Sequence, residues 1–426
     1  MMTPMKLKNG LRYLLAPYEG TDAATVLVLV KVGSRYEPLN VWGGSHFIEH
    51  LMFKGTTKRP NTIDITKTLD RYGAEFNAYT GKDRTGYYVK IAGDKINIAI
   101  DLLYDMLFHS KYESKEMTRE KKVIVEEIKM YEENPIMHVD DLLERAMFDG
   151  NPLGREIAGT AKSVVQMKRA DVIKYRDQYY IPSEMVIVIA GKVPSNADEL
   201  LRDTFGKVKP AKIEASAYLP FGEMPEKNTP RIVRQEKKLE QIQLAIGFPA
   251  PKLGHEDTSA VHLLESILGG TMSSRLFIEV REKRALCYDV RTSSDYYQDV
   301  GTFVIRAGLD ANRLTLATKT IFSELRKIKK DGVTAQEIRY AKDHSAGSAK
   351  LHFENSSKRA SFIGQQELML GKVKTLEEKL AEIKKVSAAD VRRVANQILN
   401  NRKMSVAAIG PYKTDAALLK QLPVLS

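Results

Sequence analysis

The chain has a single cysteine in 426 residues. Cys287 alone excludes a disulfide within the chain and fits a reducing compartment. Its expected place is a small buried position between Leu286 and Tyr288. No stretch reaches the roughly eighteen apolar residues of a membrane-spanning helix. The opening MMTPMKLKNGLRYLL contains no continuous apolar run of the secretory kind. These absences point to a cytoplasmic protein that makes no use of the membrane. There is also no block of one charge. The formal net charge is +12, which in a cluster would attract nucleic acid. Lysines and arginines are instead spread along the chain and mixed with acids, and no nucleic-acid-binding module is recognisable. The surface is read as solvated, and no nucleic-acid partner is expected; a basic nucleic-acid-binding protein is a third, weaker alternative, which loss of binding with salt would mark.

What is present is a pentapeptide, His46-Phe47-Ile48-Glu49-His50. On a helix, positions i and i+4 share a face one turn apart. His46 and His50 can therefore offer two imidazole nitrogens to one ion, and Glu49 lies on nearly the same face. Two His ligands with a nearby carboxylate base are what hydrolytic zinc chemistry needs. The order H-x-x-E-H is the inverted form of the H-E-x-x-H motif. Glycines at 43, 44 and 55 bracket a short helix over about 44–53. The apolar run ATVLVLVKV at 24–32 just before it reads as a buried strand.

A catalytic zinc site wants a third protein ligand. Residues 115–131 (KEMTREKKVIVEEIKMY) form a strong helix with an apolar stripe of Met117, Val123, Ile124, Ile128 and Tyr131. It offers Glu120, Glu126 and Glu127. Glu120 and Glu127 share a face, whereas Glu126 points about a hundred degrees away from Glu127.

The chain also repeats itself. ADVIKYRDQYYIPSEMVIVIAG at 170–191 and ADVRRVANQILNNRKMSVAAIG at 389–410 match without a gap. Each copy is a helix, a short loop and an apolar strand ending in Gly. A period this long is a domain duplication. Residues 213–230, with three prolines and little periodicity, read as the linker. The predicted domains are 1–212 and 231–426. Each is expected to be α+β, a largely antiparallel sheet with helices on one face. The second half has no H-x-x-E-H. Residues 336–349 (QEIRYAKDHSAGSA) carry Ala341 and residues 345–348 (SAGS) where carboxylates would stand. His109, His138, His255 and His262 read as isolated, and His344 and His352 lack a second His at ligand spacing.

HFIEHLMFKGT, FNAYT at 76–80 and EKKVIVEEIKMYEENP together resemble the pitrilysin, insulysin and mitochondrial processing peptidase family of zinc metallopeptidases. The likeness runs from Asn9-Gly10 to about Ile409. It implies two homologous domains enclosing a chamber, one Zn²⁺ per chain, and endopeptidase activity on unfolded peptides or processing segments. It implies His46, His50 and Glu127 as metal ligands, Glu127 lying 77 positions beyond His50. Glu49 is then the general base, and Glu120 supports the site. LGGTMSSRLFIEVREKRALCY resembles the family's second-half motif, and so implies that Arg281 and Tyr288 reach the bound peptide and its oxyanion. Without that resemblance, Arg281 reads as a surface ion pair and Tyr288 as a core tyrosine. Ala285 stands where the family often has Gly. Asn77 and Ala78 are the implied substrate contacts, on an edge strand that takes a peptide by strand addition. The family's short members work as homodimers or as heterodimers with a related chain. This chain holds both residue sets, which favours a homodimer. The alternative is a non-catalytic assembly subunit like the core subunits of respiratory complexes, which typically have broken metal motifs.

Overall fold

The computed structural model describes residues 2–211 and 218–425. Residues 213–217 of the expected linker lie outside the described part. The chain divides into two compact units.

The first sheet contains β1 (Met5–Lys6), β2 (Arg12–Pro17), β3 (Ala23–Val30), β4 (Glu75–Thr80), β5 (Thr85–Ala92) and β6 (Met185–Gly191), in the order β1-β2-β6-β3-β5-β4. Only β2 and β6 pair in parallel. The second sheet contains β7 (Arg231–Glu236), β8 (Gln241–Ala250), β9 (Cys287–Tyr296), β10 (Gly301–Asp310) and β11 (Ser405–Gly410), in the order β7-β11-β8-β10-β9. There only β7 and β11 are parallel. The α+β class and the largely antiparallel sheets agree with the sequence reading, but the expected helices on one face do not, because strands apolar on both sides take a helical cover on each face of the first sheet. The repeat is also physical. The Arg169–Tyr179 helix leads into β6 as the Ala388–Ile398 helix leads into β11.

The compact units differ from the halves drawn on the sequence. The first comprises Met1–Lys129, Glu156–Leu219 and Ser348–Leu376; the second comprises Met130–Arg155, Pro220–Gly347 and Glu377–Ser426. Each unit thus takes in a helix from the other sequence half. The reason lies in the strands. In β3, alternate residues point to opposite faces. Val26, Val28 and Val30 join the core formed with the helices, while Leu27 and Leu29 join a second cluster on the other face. That second face needs a cover, and the Ser356–Leu370 helix supplies it through Ala360, Ile363 and Leu368. Gly364 permits the close approach, since a Cβ there would lie 2.8 Å from Leu29 Cδ1. Arg12 pairs with Glu367 at 2.8 Å, and Thr25 meets Ser356 hydroxyl to hydroxyl at 2.8 Å. In the second unit, the Pro135–Met147 helix sets Val139, Leu142, Leu143 and Met147 against Ala245, Val304, Ala407 and Ile409. Asp140 on this helix pairs with Arg306 of β10.

The exchange changes what a cut chain would do. A fragment of residues 1–212 leaves Leu14, Leu27, Leu29, Val186 and Val188 without their covering helix, an apolar patch of the kind that drives aggregation. Expressed alone, it is expected to be insoluble or to lack a cooperative melt. Co-expression with residues 213–426 should yield a soluble pair. Circular dichroism melts and sedimentation of each fragment and of the pair test this. A soluble fragment 1–212 with a sharp melt of its own would refute it.

Candidate active site

The Gly44–Met52 helix starts from Gly43 in the left-handed region at φ 91°. A Cβ there would lie 2.6 Å from the Ala158 carbonyl oxygen. No side chain of the helix caps its first turn. Instead, the buried Glu37 accepts from Gly43 N and Ser45 N, each at 2.7 Å. Burial pushes the Glu37 carboxyl up to about 8 against these bonds. Phe47, Ile48, Leu51 and Met52 pack into the core. His46, Glu49 and His50 are left half-buried on the remaining face.

The Ser114–Glu133 helix runs past this face. Met117, Glu120, Ile124 and Ile128 are its buried residues. Glu126 is exposed and pairs with Lys129 at 2.8 Å. Glu127 turns inward, to 3.7 Å from His46 Nε2 and 3.3 Å from His50 Nε2. The two Nε2 atoms are 3.3 Å apart. Among the described residues, His46, His50 and Glu127 form the one group of three His, Cys, Asp or Glu side chains able to hold a metal ion. A tetrahedral zinc with bonds of about 2.0–2.1 Å places its donors roughly 3.3–3.4 Å apart. The donor set and its spacing therefore fit Zn²⁺.

The electrostatics also fit. Burial, and then the neighbouring His50, lower His46 to about 4, so it is neutral and available as a ligand. Burial would also lower His50, but Glu120 and Glu127 outweigh it and raise His50 to about 9. The proton it holds is the one that a bound cation would displace. His50 Nδ1 lies 3.2 Å from Glu120 Oε2, the carboxylate–histidine contact that orients a ligand. Lys54 Nζ holds the other Glu120 oxygen at 2.8 Å. Burial raises Glu120, but its bonds to His50 and Lys54 bring it below the usual carboxylate range. Glu49 is raised by burial, partly opposed by a 2.6 Å hydrogen bond from Thr80 Oγ1.

Asn77 and Ala78 lie on β4, which among the described residues is an edge of its sheet paired with β5. Asn77 is exposed and Ala78 buried. Arg281 and Tyr288 belong to the second unit. Arg281 is in a π-helical turn, Phe277–Glu282, and its guanidinium carbon lies 4.6 Å from the Phe277 ring centre and 5.2 Å from that of Tyr288. Tyr288 is 74% exposed at the start of edge strand β9, which corrects the core-tyrosine reading. Cys287 is half-buried rather than buried, because it too starts that edge. Ala285 adopts φ 47°, a left-handed conformation natural to glycine.

Sequence reasoning missed Glu37, Lys54 and Thr80, whose partners are distant in the chain or on another element. It also missed a vestige. His262-Leu263-Leu264-Glu265-Ser266 has the same spacing as His46–His50, with Ser266 in place of the second His. His262 is not isolated; its Nε2 lies 3.0 Å from Ser345 Oγ. Setting HLLES beneath HFIEH would have found it.

Residues 13–161 match the family described as Insulinase (Peptidase family M16), and residues 166–344 match the Peptidase M16 inactive domain. The chain belongs to peptidase family M16. This M16 chain is 36% identical over 404 residues to the uncharacterized zinc protease YmxG of Bacillus subtilis, covering 95% of this chain and 97% of that one. It is 33% identical to an uncharacterized zinc protease of Mycobacterium tuberculosis, over 98% of this chain and 94% of the relative. A crystal structure of a protease from Helicobacter pylori is similar at TM-score 0.90 and 25% identity, covering 96% and 99% of the two chains. A Pseudomonas fluorescens structure described as a peptidase M16 inactive domain has the same fold at TM-score 0.84 and 22% identity, covering 97% and 98%. The stretch of this M16 chain that matches the inactive domain includes the HLLES vestige.

Proposed function

We propose that the chain is a zinc-dependent endopeptidase that hydrolyses unfolded peptides or processing segments. The convergence of His46, His50 and Glu127, with Glu49 beside them, carries this reading. The three side chains would hold one Zn²⁺, which when bound supplies Lewis acidity and makes water a nucleophile near neutral pH. Glu49 takes a proton from the attacking water and returns it to the leaving amine. Glu120, held by Lys54, keeps the His50 ring oriented. The free edge of β4 at Asn77 and Ala78 receives an extended peptide through main-chain hydrogen bonds, which gives broad sequence tolerance. Arg281 and Tyr288 are the groups proposed to stabilise the oxyanion. Since one chain holds both residue sets, a homodimer is the assembly proposed, ahead of a heterodimer with a related chain. A non-catalytic assembly subunit would need none of these convergent side chains.

The test is digestion of an unstructured peptide by zinc-loaded and chelator-treated protein, with Arg281→Ala and Tyr288→Phe alongside wild type. Hydrolysis should require zinc. Both variants should keep their zinc and lose on the order of a hundredfold in kcat/KM, mostly in kcat. A rise in KM with unchanged kcat would assign the pair to peptide grip alone. Zinc-loaded wild type that cleaves nothing would refute the peptidase reading.

A further inference from the structure

Thr80 Oγ1 donates to Glu49 Oε2 at 2.6 Å. Thr80 is the last residue of β4, the strand whose outer edge is unpaired. We infer that Thr80 is a positioning residue that couples the seating of an extended peptide on β4 to the aim of the Glu49 carboxylate. The inference rests on the peptidase reading and adds to it a dependence of turnover on peptide length.

Three observations support the coupling. The first is the direction of the hydroxyl. Threonine is β-branched and stiff at χ1, so the backbone of β4 sets where Oγ1 points. The second is an asymmetry in how β4 is held. On its inner side Thr80 pairs with Thr85, whose own hydroxyl is fixed on the Val32 carbonyl at 2.8 Å. Among the described residues, no strand neighbours the outer side of β4. A peptide added there would complete the restraint on the strand, and Thr80 would pass it to Glu49. With one carboxylate oxygen held by Thr80, the other remains for the attacking water. The third is the recurrence of the layout. In the second unit, Ser294 on edge strand β9 lies near Glu265, the Glu of HLLES, but its hydroxyl makes no hydrogen bond of the Thr80–Glu49 kind. That unit has Ser266 where the first has His50. A hydroxyl on the edge strand beside the helix glutamate therefore belongs to the repeated frame, and only the first unit sets it next to metal-binding side chains.

The test uses full-length zinc-loaded protein with Thr80→Val, which keeps the shape and removes the donor, and Thr80→Ser, which keeps the donor. Two fluorogenic peptides serve as probes. One, of about ten residues, is long enough to span a six-residue strand; the other, of about four, is not. Thr80→Val should retain wild-type zinc affinity by chelator competition, and a melting temperature close to wild type. It should lose about tenfold to a hundredfold in kcat on the long peptide, with KM within about twofold, because a correctly aimed base acts in the transition state. Thr80→Ser should stay within about threefold of wild type. The gain in kcat from the short to the long peptide should be present in wild type and largely lost in Thr80→Val.

Several results would overturn the inference. They are wild-type kcat in Thr80→Val, an unchanged length effect, equal impairment of Thr80→Ser, or loss of zinc or fold in Thr80→Val. The peptidase reading would survive all of these. Zinc-loaded wild type without hydrolysis would remove that reading, and this inference with it.

Discussion

Glu49→Gln is expected to retain zinc and a wild-type melting temperature while losing at least about a thousandfold in kcat. The argument is local. Glu49 is not among the three side chains whose donor atoms converge, so the substitution leaves the ligand set intact. Glutamine is nearly isosteric and can still accept from Thr80 Oγ1. It cannot take up a proton from water. Metal content and peptide turnover on one preparation decide the matter. Turnover within about tenfold of wild type would remove Glu49 from the role of base. Loss of zinc together with activity would mean that Glu49 supports the ligands rather than the chemistry.

The second large effect separates two adjacent acids. Glu127→Gln should weaken zinc binding by more than about a hundredfold, exceeding the usual cost of losing a supporting partner. Glu127 faces both Nε2 atoms at 3.3–3.7 Å, and a neutral amide there neither balances the ion's charge nor binds it as strongly. Glu126→Gln should change zinc affinity by less than about twofold, since Glu126 is 71% exposed and pairs only with Lys129. Chelator competition on the two variants reads this directly. The reverse order would show that the helix register is wrong by one residue.

Local patterns made much of this molecule legible. The H-x-x-E-H spacing on a helix places two imidazoles on one face by helical geometry alone. The Gly44–Met52 and Ser114–Glu133 helices stand within a few residues of the 44–53 and 115–131 spans read from periodicity. The repeat at 170–191 and 389–410 shows the duplication, because matching segments fold to matching helix–strand pairs. The face shared by Glu120 and Glu127 followed from their spacing. The choice of Glu127 over Glu120 as ligand came from resemblance rather than from the residues themselves.

Contacts between distant segments decided the rest. Glu37 at the start of the Gly44–Met52 helix, Lys54 on Glu120 and Thr80 on Glu49 each read alone as ordinary polar residues. Their roles appear only when the partners are brought together. The exchange of helices between the sequence halves is of the same kind. The strands are apolar on both faces, which tells that a second cover exists but not which helix provides it. The Pro135–Met147 helix is amphipathic and the Ser356–Leu370 helix is only weakly so, and a hydrophobic stripe does not name its partner. Composition and spacing along the chain fixed the elements and the face shared by His46, Glu49 and His50. Shape complementarity, as at Gly364 against Leu29 and Gly247 beneath Met147, fixed which element covers which sheet, because close packing is a property of two surfaces and is written in neither one alone.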